Sequence, residues 1–308
     1  MRVVYLGTPE FAVPPLERLL EAGYRVSLVV TQPDRPKGRG QQVAASPVKR
    51  CAERHGLAVF QPERIRRPEC VERLREERAD VMAVVGYGQI IPQAIIDLPR
   101  WGIINLHASL LPKYRGAAPI QWAVANGETV TGVTTMRIDA GLDTGDILLQ
   151  TEVEIGPEET AAELSPRLAR AGAELLIRTL AGLEAGAIEP RPQDHSQATL
   201  APMLKKEDGR IAWSWPARAV HNRVRGMQPW PGAYTTFRGQ TLHIWRTRLS
   251  EAAAPPGVLR KTGRALVAGC GGGGSVELLE VQLEGKKRMS GEAFANGQRL
   301  TQDEQLGA

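Results

Sequence analysis

The chain has 308 residues, with 39 Lys and Arg against 34 Asp and Glu, and 42% of its residues are hydrophobic. This composition excludes a disordered chain. The length exceeds the size at which a single hydrophobic core stops growing, so we expect two domains. The longest apolar stretch, residues 81–96, is interrupted by glycine, glutamine and proline, so it falls short of the ~20 residues of a membrane helix. The first residues lack a signal-peptide pattern, and we expect a cytoplasmic protein.

The first half of the chain alternates β-rich runs with helical patterns. Strands are predicted at residues 2–6, 25–30, 57–60, 80–86 and 102–106, and helices at 14–21, 46–55, 69–78 and 117–125. This alternation predicts a Rossmann-like α/β fold, with a mostly parallel sheet and helices on both faces. Residues 130–138 and 147–155 predict two further strands, and residues 158–186 a long helix.

The last third of the chain has a different pattern. Short β-like pieces separated by turns follow Trp213, at residues 233–237, 241–248, 257–259, 265–268 and 275–281. They predict a small OB-like β-barrel, in which the glycines at 271–274 form a hairpin turn. We therefore predict an α/β domain at residues 1–188, a linker at 189–206 and a β-barrel at 207–308. Trp230, between two prolines, is expected to pack as a corner, and the alternative is that it forms a stacking surface.

Two features exclude common cofactors. The first strand-to-helix turn reads GTPEF at residues 7–11, where a dinucleotide-binding chain carries GxGxxG. Pro9 lacks an N–H donor and Glu10 adds negative charge, so no nicotinamide cofactor is expected. The three cysteines are far apart, without CxxC or metal-ligand spacing, which predicts reduced thiols and no metal.

Asn105 and His107 end an apolar strand, and their spacing places them on one face with Leu106 on the other. At the carboxyl edge of a parallel sheet this face opens onto the ligand-binding crevice. An amide beside an imidazole can stabilise an oxyanion and transfer a proton. The acidic turn DAGLDTGD at residues 139–146 can add a carboxylate to the same crevice, which predicts one site.

Charge is unevenly distributed along the chain. Residues 205–308 carry 16 Lys and Arg against 9 Asp and Glu, a net charge of +7, whereas residues 1–204 have a net charge of −2. A basic region of this kind indicates a polyanion such as nucleic acid, because neutralised phosphates release counterions. On charge alone a solvated basic surface is equally compatible.

Two strings carry a family resemblance. NLHASLLPKYRGAAP at residues 105–119 and GLDTGD at 141–146 resemble the signature of folate-dependent formyltransferases. Further strings resemble the branch of that family that acts on tRNA, and they run along nearly the whole chain. These are LGTPEF at 6–11, TQPDRPKGRG at 31–40, SPVK at 46–49, PWPGA at 229–233 and GQRL at 297–300.

The resemblance implies transfer of a formyl group from 10-formyltetrahydrofolate, as co-substrate, to the free amine of methionine on initiator tRNA. Asn105 and His107 would stabilise the oxyanion, and Asp143 would pair with His107 and assist proton transfer. No metal is implied, and we expect a monomer. The folate would contact an apolar wall within residues 84–91 and two loops: Val84, Tyr87, Gly88, Ile91, Ser109, Leu110, Leu111, Pro112 and Asp139.

The resemblance also implies contacts to tRNA. The basic loop after the second strand would reach the acceptor end through Arg35, Lys37 and Arg39. Basic residues of the last third would hold the backbone: Lys205, Lys206, Arg223, Arg225, Lys286, Lys287 and Arg288.

Other activities remain open at this stage. A sugar-nucleotide formyltransferase would share the triplet and the folate donor, and its second domain can be similar. A glycinamide ribonucleotide formyltransferase needs an N-terminal phosphate-binding glycine loop, against which Thr8-Pro9-Glu10 argues. An oxidoreductase is disfavoured by the missing GxGxxG, and a catalytically silent RNA-binding protein by the intact triplet.

Overall fold

The alternating pattern of the first two-thirds of the chain folds into a seven-stranded sheet and a series of helices. The computed structural model describes residues 1–37, 42–300 and 304–307. Its strands are β1 (Arg2–Gly7), β2 (Arg25–Val30), β5 (Val59–Phe60), β6 (Val81–Val85), β7 (Ile103–His107), β8 (Val130–Arg137) and β9 (Ile147–Glu154). A separate hairpin is formed by β3 (Arg35–Lys37) and β4 (Gln42–Ala44). The helices are α1 (Val13–Glu21), α2 (Pro47–Arg54), α3 (Pro68–Glu76), α4 (Gln93–Ile96), α5 (Pro119–Ala125) and α6 (Ala161–Glu184).

The last third forms a second, antiparallel sheet. Its strands are β10 (Ala233–Phe237), β11 (Gln240–Ser250), β12 (Val258–Thr262), β13 (Ala265–Gly269), β14 (Ser275–Leu283), β15 (Met289–Ser290) and β16 (Glu304–Gln305). Two helices, α7 (Ala217–Gly226) and α8 (Gly291–Gly297), accompany the sheet.

The chain divides into two interleaved units. One comprises Met1–Gly116, Thr131–Val153 and Ser165–Leu200, and the other comprises Ala117–Val130, Glu154–Leu164 and Ala201–Ala308. The boundaries expected at residues 1–188, 189–206 and 207–308 stay a prediction.

The strand order of the first sheet indicates where its ligand-binding crevice lies. The order is β5-β2-β1-β6-β7-β8-β9, with parallel pairs up to β7 and an antiparallel pair between β7 and β8. All five residues of β6 are buried, as expected for a strand covered on both faces. Because β2 and β6 lie on opposite sides of β1, the order reverses there, and ligands bind beyond the carboxyl ends of such strands. The predicted Rossmann-like fold is confirmed.

The second unit closes nearly into a barrel. Its strand order is β10-β11-β14-β13-β12-β16, and a bridge from Phe237 to Leu306 links the first strand to the end of the last. The inward residues form one core, in which the rings of Phe237 and Phe294 meet edge to face at 5.2 Å. Gly272 and Gly273 adopt positive φ in the connection between β13 and β14, which confirms the predicted hairpin turn.

Two expectations for this unit were wrong. Helices α7 and α8 were not predicted, because α7 is rich in arginine and buries an apolar stripe of only Val220 and Val224 at i, i+4 spacing. The side chain of Trp230 is 56% exposed and does not form a buried corner.

The three cysteines are buried free thiols. Burial raises the pKa of Cys51 to about 11, with a further contribution from Glu17, and burial raises the pKa of Cys270 to about 11. Both groups therefore stay protonated at neutral pH, which makes them poor nucleophiles. Among the described helices, none combines the length and apolar character needed to span a bilayer.

The barrel core predicts a large stability effect at Phe294. Phe294→Ala removes a fully buried ring, so the free energy of unfolding should fall by about 3–5 kcal/mol. Urea unfolding followed by tryptophan fluorescence measures this change. Leu249→Ala, at a partly exposed position of β11, is the control and should cost less than about 1 kcal/mol. Equal losses in the two variants would contradict the assigned core.

Candidate active site

Strand β7 brings Asn105 and His107 to the crevice. Asn105 pairs in register with Val84 of β6 and Met136 of β8, and His107 pairs with Thr134. Leu106 points to the opposite face, where it packs so closely on α6 that a β-carbon at Gly172 would lie 2.7 Å from its Cδ2 atom. The predicted alternation of faces along this strand is therefore present.

Asp143 completes the predicted triplet. Its Oδ2 atom accepts a hydrogen bond of 2.8 Å from the Gly116 N–H and lies 3.6 Å from His107 Nδ1. Its Oδ1 atom accepts from Asn105 Nδ2 at 3.4 Å. The Asp143 and His107 side chains are 16% and 7% exposed, so water screens their interaction weakly. The structure thus brings together the amide, the imidazole and the carboxylate.

The hydrogen bonds of His107 fix which ring nitrogen faces the crevice. Its Nε2 atom lies 2.9 Å from the carbonyl oxygen of Tyr114, and a carbonyl can only accept, so Nε2 carries a proton. In the neutral ring Nδ1 is then unprotonated, and it faces the Asp143 carboxylate. A proton taken up at Nδ1 is directed at this carboxylate, which makes Nδ1 the atom able to exchange protons.

The loop between β8 and β9 holds Asp143 in an unusual conformation. Asp143 has a φ of 51°, in the left-handed region that non-glycine residues rarely adopt. Asp139, predicted to contact folate, accepts hydrogen bonds from the Gly141 N–H and the Thr144 hydroxyl, so its carboxylate organises this loop. At Gly145 a β-carbon would lie 1.9 Å from the Arg137 carbonyl oxygen, so only glycine fits.

The residues predicted to form an apolar wall differ in their placement. Val84 and Ile91 are buried in the core beside the sheet. The side chain of Tyr87 is also buried there, and burial raises the pKa of its hydroxyl. Its carbonyl oxygen accepts from Thr8 Oγ1 and Gln32 Nε2, two residues that the sequence analysis did not single out for this site. Gly88 is exposed, and the neighbouring Ile90 is 91% exposed.

The turn after β7 is held by its own polar groups. The buried Ser109 hydroxyl donates to the Lys113 carbonyl at 2.6 Å, and the Thr134 hydroxyl donates to the Ser109 carbonyl. Leu111 is buried, whereas Leu110 and Pro112 are half-buried. Ser109 therefore stabilises the turn from a fully buried position, and Leu110 and Pro112 offer the more accessible side chains.

Comparison with known proteins identifies the family. Residues 1–180 match the formyl transferase family, and residues 203–299 match the C-terminal domain of formyl transferases. The chain belongs to the formyl transferase family. Two relatives described as methionyl-tRNA formyltransferase come from Solibacter usitatus, at 67% identity over all of this chain and 99% of the relative, and from Geobacter sulfurreducens, at 49% identity over all of this chain and 97% of the relative. The predicted family membership is confirmed.

Solved structures share the formyl transferase fold at low sequence identity. An N-formyltransferase from Helicobacter canadensis, in complex with folinic acid and dTDP-3-aminofucose, has a TM-score of 0.70 at 18% identity and covers 90% of this chain and 98% of its own. HypX from Aquifex aeolicus, in complex with tetrahydrofolic acid, has a TM-score of 0.64 at 18% identity and covers 96% of this chain and 47% of its own. At this identity the likeness concerns the fold alone.

The predicted tRNA contacts fall into three groups. Arg35 is exposed on β3, Lys37 ends that strand, and Arg39 lies outside the described residues. Lys205, Lys206, Lys286, Lys287 and Arg288 are exposed. By contrast, Arg223 and Arg225 are engaged inside the second unit of this formyl transferase.

The interior arginines have identified partners. The Arg223 guanidinium lies 5.5 Å from the ring centroid of Trp122 and 5.0 Å from that of Trp215, and burial lowers its pKa. The buried Arg225 donates to the main-chain oxygens of Gly156 and Glu159. A phosphate would have to displace these contacts.

An aromatic surface adjoins the exposed lysines. The rings of His243 and Trp245 are stacked on β11, with centroids 5.5 Å apart and planes 18° from parallel. The Arg288 guanidinium lies 3.6 Å from the Trp245 ring centroid. This stack was not predicted from the sequence, although the alternation of Leu242, His243, Ile244 and Trp245 along a strand is a signal for it.

The close approach at Gly145 gives a test of how Asp143 is placed. Gly145→Ala would drive its β-carbon into the Arg137 carbonyl oxygen and displace the loop, so kcat of formyl transfer should fall by about 10²-fold. Ala140→Ser, at an exposed position of the same loop, is the control and should keep kcat within about twofold. Steady-state kinetics of both variants check this, and wild-type kcat in Gly145→Ala would refute it.

Proposed function

We propose that this protein transfers the formyl group of 10-formyltetrahydrofolate to the amine of methionine carried by initiator tRNA. The observation that carries the proposal is the convergence of Asn105, His107 and Asp143 at the carboxyl end of β7. Full-length relatives at 49–67% identity are described as methionyl-tRNA formyltransferase, which supports tRNA as the acceptor. The protein would act as a monomer in the cytoplasm, where translation supplies this acceptor.

The triplet divides the reaction into charge stabilisation and proton transfer. The methionyl amine attacks the formyl carbon, a new N–C bond forms, and the formyl oxygen gains negative charge; when the carbonyl forms again, the bond from the formyl carbon to the folate nitrogen breaks. Asn105 Nδ2 and the imidazole of His107 would stabilise this oxyanion. The attacking amine loses its proton and the departing folate nitrogen gains one, so one relay can serve both steps.

His107 would run this relay through Nδ1. Its Nε2–H is committed to the Tyr114 carbonyl, so Nδ1 is the nitrogen able to take up a proton. The resulting imidazolium would face the Asp143 carboxylate at 3.6 Å and be stabilised by it. Asp143 therefore supports the charged form of a ring whose orientation is fixed by the Tyr114 carbonyl.

The folate would bind against the loops that border the triplet. Ile90, after β6, is 91% exposed, and Leu142, beside Asp143, is 63% exposed. Flat apolar surface of this kind suits the ring systems of a folate, whose polar edges would meet main-chain groups near Gly88 and residues 109–112. We propose Leu110 and Pro112 as further contacts, and roles for Val84, Tyr87, Ile91 and Asp139 in shaping the wall.

The tRNA would be held mainly through its phosphates. We propose contacts from Arg35, Lys37 and Arg39 to the acceptor end, and from Lys205, Lys206, Lys286, Lys287 and Arg288 to the backbone. These last five are exposed cations in the region whose net charge is +7. Arg223 would support this surface through its two tryptophans. Residues 1–188 would then supply the chemistry and residues 207–308 the grip on RNA.

Single-turnover formyl transfer from 10-formyltetrahydrofolate tests the acceptor. The acceptors to compare are methionyl initiator tRNA, methionyl elongator tRNA, free methionine and a dTDP-linked amino sugar. We expect fast transfer only to the initiator tRNA. Transfer to the sugar nucleotide with tRNA inert would overturn the acceptor and leave the triplet in place.

Substitution of the triplet should affect turnover more than binding. Asn105→Ala, His107→Ala and Asp143→Asn should each lower kcat by about 10²-fold or more, because each removes a charge-stabilising or proton-transferring group. The KM values for both substrates should change much less. Asp97→Asn, at an exposed carboxylate on the residue that follows α4, is the matched control. Full activity in any triplet variant would remove that residue from the mechanism.

Binding of tRNA should depend steeply on salt. Neutralising Arg35, Lys37 and Arg39 together should raise KM for tRNA and flatten the slope of log KM against log salt concentration by about 2 to 3. The KM for the folate should stay nearly constant. Neutralising the exposed residues Arg64, Arg66 and Arg67 before α3 is the charge-matched control. A salt-independent KM for tRNA would contradict the proposal.

A further inference from the structure

Three consecutive residues hold both titratable members of the triplet. The Tyr114 carbonyl accepts from His107 Nε2, and the Gly116 N–H donates to Asp143 Oδ2. Tyr114 and Gly116 have φ values of 60° and 118°, so neither bond would persist if this segment relaxed to an ordinary extended form. Something must therefore fix the segment between them, and Arg115 is the residue at its centre.

The side chain of Arg115 points into the protein. It is only 7% exposed, and its Nε and Nη2 atoms both donate to Gln193 Oε1, at 3.1 and 2.7 Å. Nη2 also lies 3.2 Å from His195 Nδ1, which must accept because a guanidinium only donates. Burying a guanidinium against two neutral acceptors destabilises the fold. We therefore expect the contacts of Arg115 with Gln193 and His195 to serve another purpose in the structure.

The Gln193 side chain connects Arg115 to the turn that contains Asp143. It is 6% exposed, and its Nε2 atom donates to the main-chain oxygens of Asp143 at 2.9 Å and Gly145 at 2.7 Å. All the hydrogen-bonding capacity of this amide is thereby used, with two bonds donated and two accepted. The two carbonyls flank the left-handed turn at Asp143, whose φ is 51°.

We propose that Arg115 and Gln193 are positioning residues for formyl transfer, and that they act by holding the turn of Asp143 at a fixed distance from His107. Neither residue reaches the reacting atoms. Thr199 adds to this support, since it accepts hydrogen bonds from the main-chain N–H groups of Tyr114 and Arg115. This inference rests on the proposed function for its assay.

Gln193→Glu separates positioning from folding. The carboxylate keeps the size of the side chain and still accepts from Arg115, now as an ion pair, but it cannot donate to the Asp143 and Gly145 carbonyls. The two buried carbonyls lose their donor, so the melting temperature should fall, but the new ion pair with Arg115 should keep the variant folded at the assay temperature. In the folded variant kcat should fall by about 10- to 10²-fold, because a small displacement of a catalytic group has a large effect on rate. The KM values for folate and tRNA should change less than threefold.

Gln197→Glu is the matched control. Gln197 is exposed in the same segment, so this variant makes the same chemical change without touching Asp143, and its kcat should equal that of wild type. Arg115→Lys adds a second test, because an ammonium cannot make the forked contact to Gln193, and its kcat should fall as well. Wild-type kcat in a stably folded Gln193→Glu would overturn the proposal.

A double-mutant cycle shows whether the effect passes through Asp143. In an Asp143→Ala background the carboxylate is absent, so Gln193→Glu should lower the residual kcat by less than twofold. An undiminished loss in that background would mean that Gln193 acts elsewhere, and would overturn the inference. Failure of the proposed function is distinguishable, because the wild type would then not formylate methionyl initiator tRNA at all.

Discussion

The hydrogen bond from the Gly116 N–H to Asp143 Oδ2 is the contact on which the candidate site depends. It joins the turn after β7, which fixes the His107 ring through the Tyr114 carbonyl, to the loop between β8 and β9. Asp143 has a positive φ that non-glycine residues rarely adopt, so local preference does not place it, whereas glycine at position 116 permits the turn that supplies the N–H group. The 3.6 Å approach of His107 and Asp143 is therefore a property of two loops held together, and the sheet provides the rigid support beneath them.

The turns that surround the triplet are held in place by hydrogen bonds from neighbouring side chains. The main-chain oxygens of these turns accept hydrogen bonds from the side chains of Ser109, Thr134 and Gln193. The groups facing the crevice are those that the proposed chemistry requires, namely the Asn105 amide, His107 Nδ1 and the Asp143 carboxylate. Such an arrangement lets a site stabilise a developing charge with little reorganisation during the reaction.

The second unit contains most of the positively charged region, and its cations serve two different purposes. Its lysines Lys205, Lys206, Lys286 and Lys287 are exposed to solvent, as suits phosphate contacts that carry little sequence information. Arg223 and Arg225 have the same charge but hold the unit together from within, one between two indole rings and the other on main-chain oxygens. Net charge thus predicts a polyanionic partner, but it does not identify which cations are available to that partner.

The sequence by itself determined the parallel sheet, because the alternation of β-branched runs with helical patterns is a local property that burial reinforces. It also determined that Asn105 and His107 share a face, since strand geometry requires this. The formyl transferase strings fixed the family. Only the tertiary structure decided which nitrogen of His107 faces the site, where Arg223 lies, and that Gln193 reaches the Asp143 turn across 50 positions of sequence. These features depend on loops with left-handed residues and on long-range contacts, for which no local pattern in the chain supplies a signal.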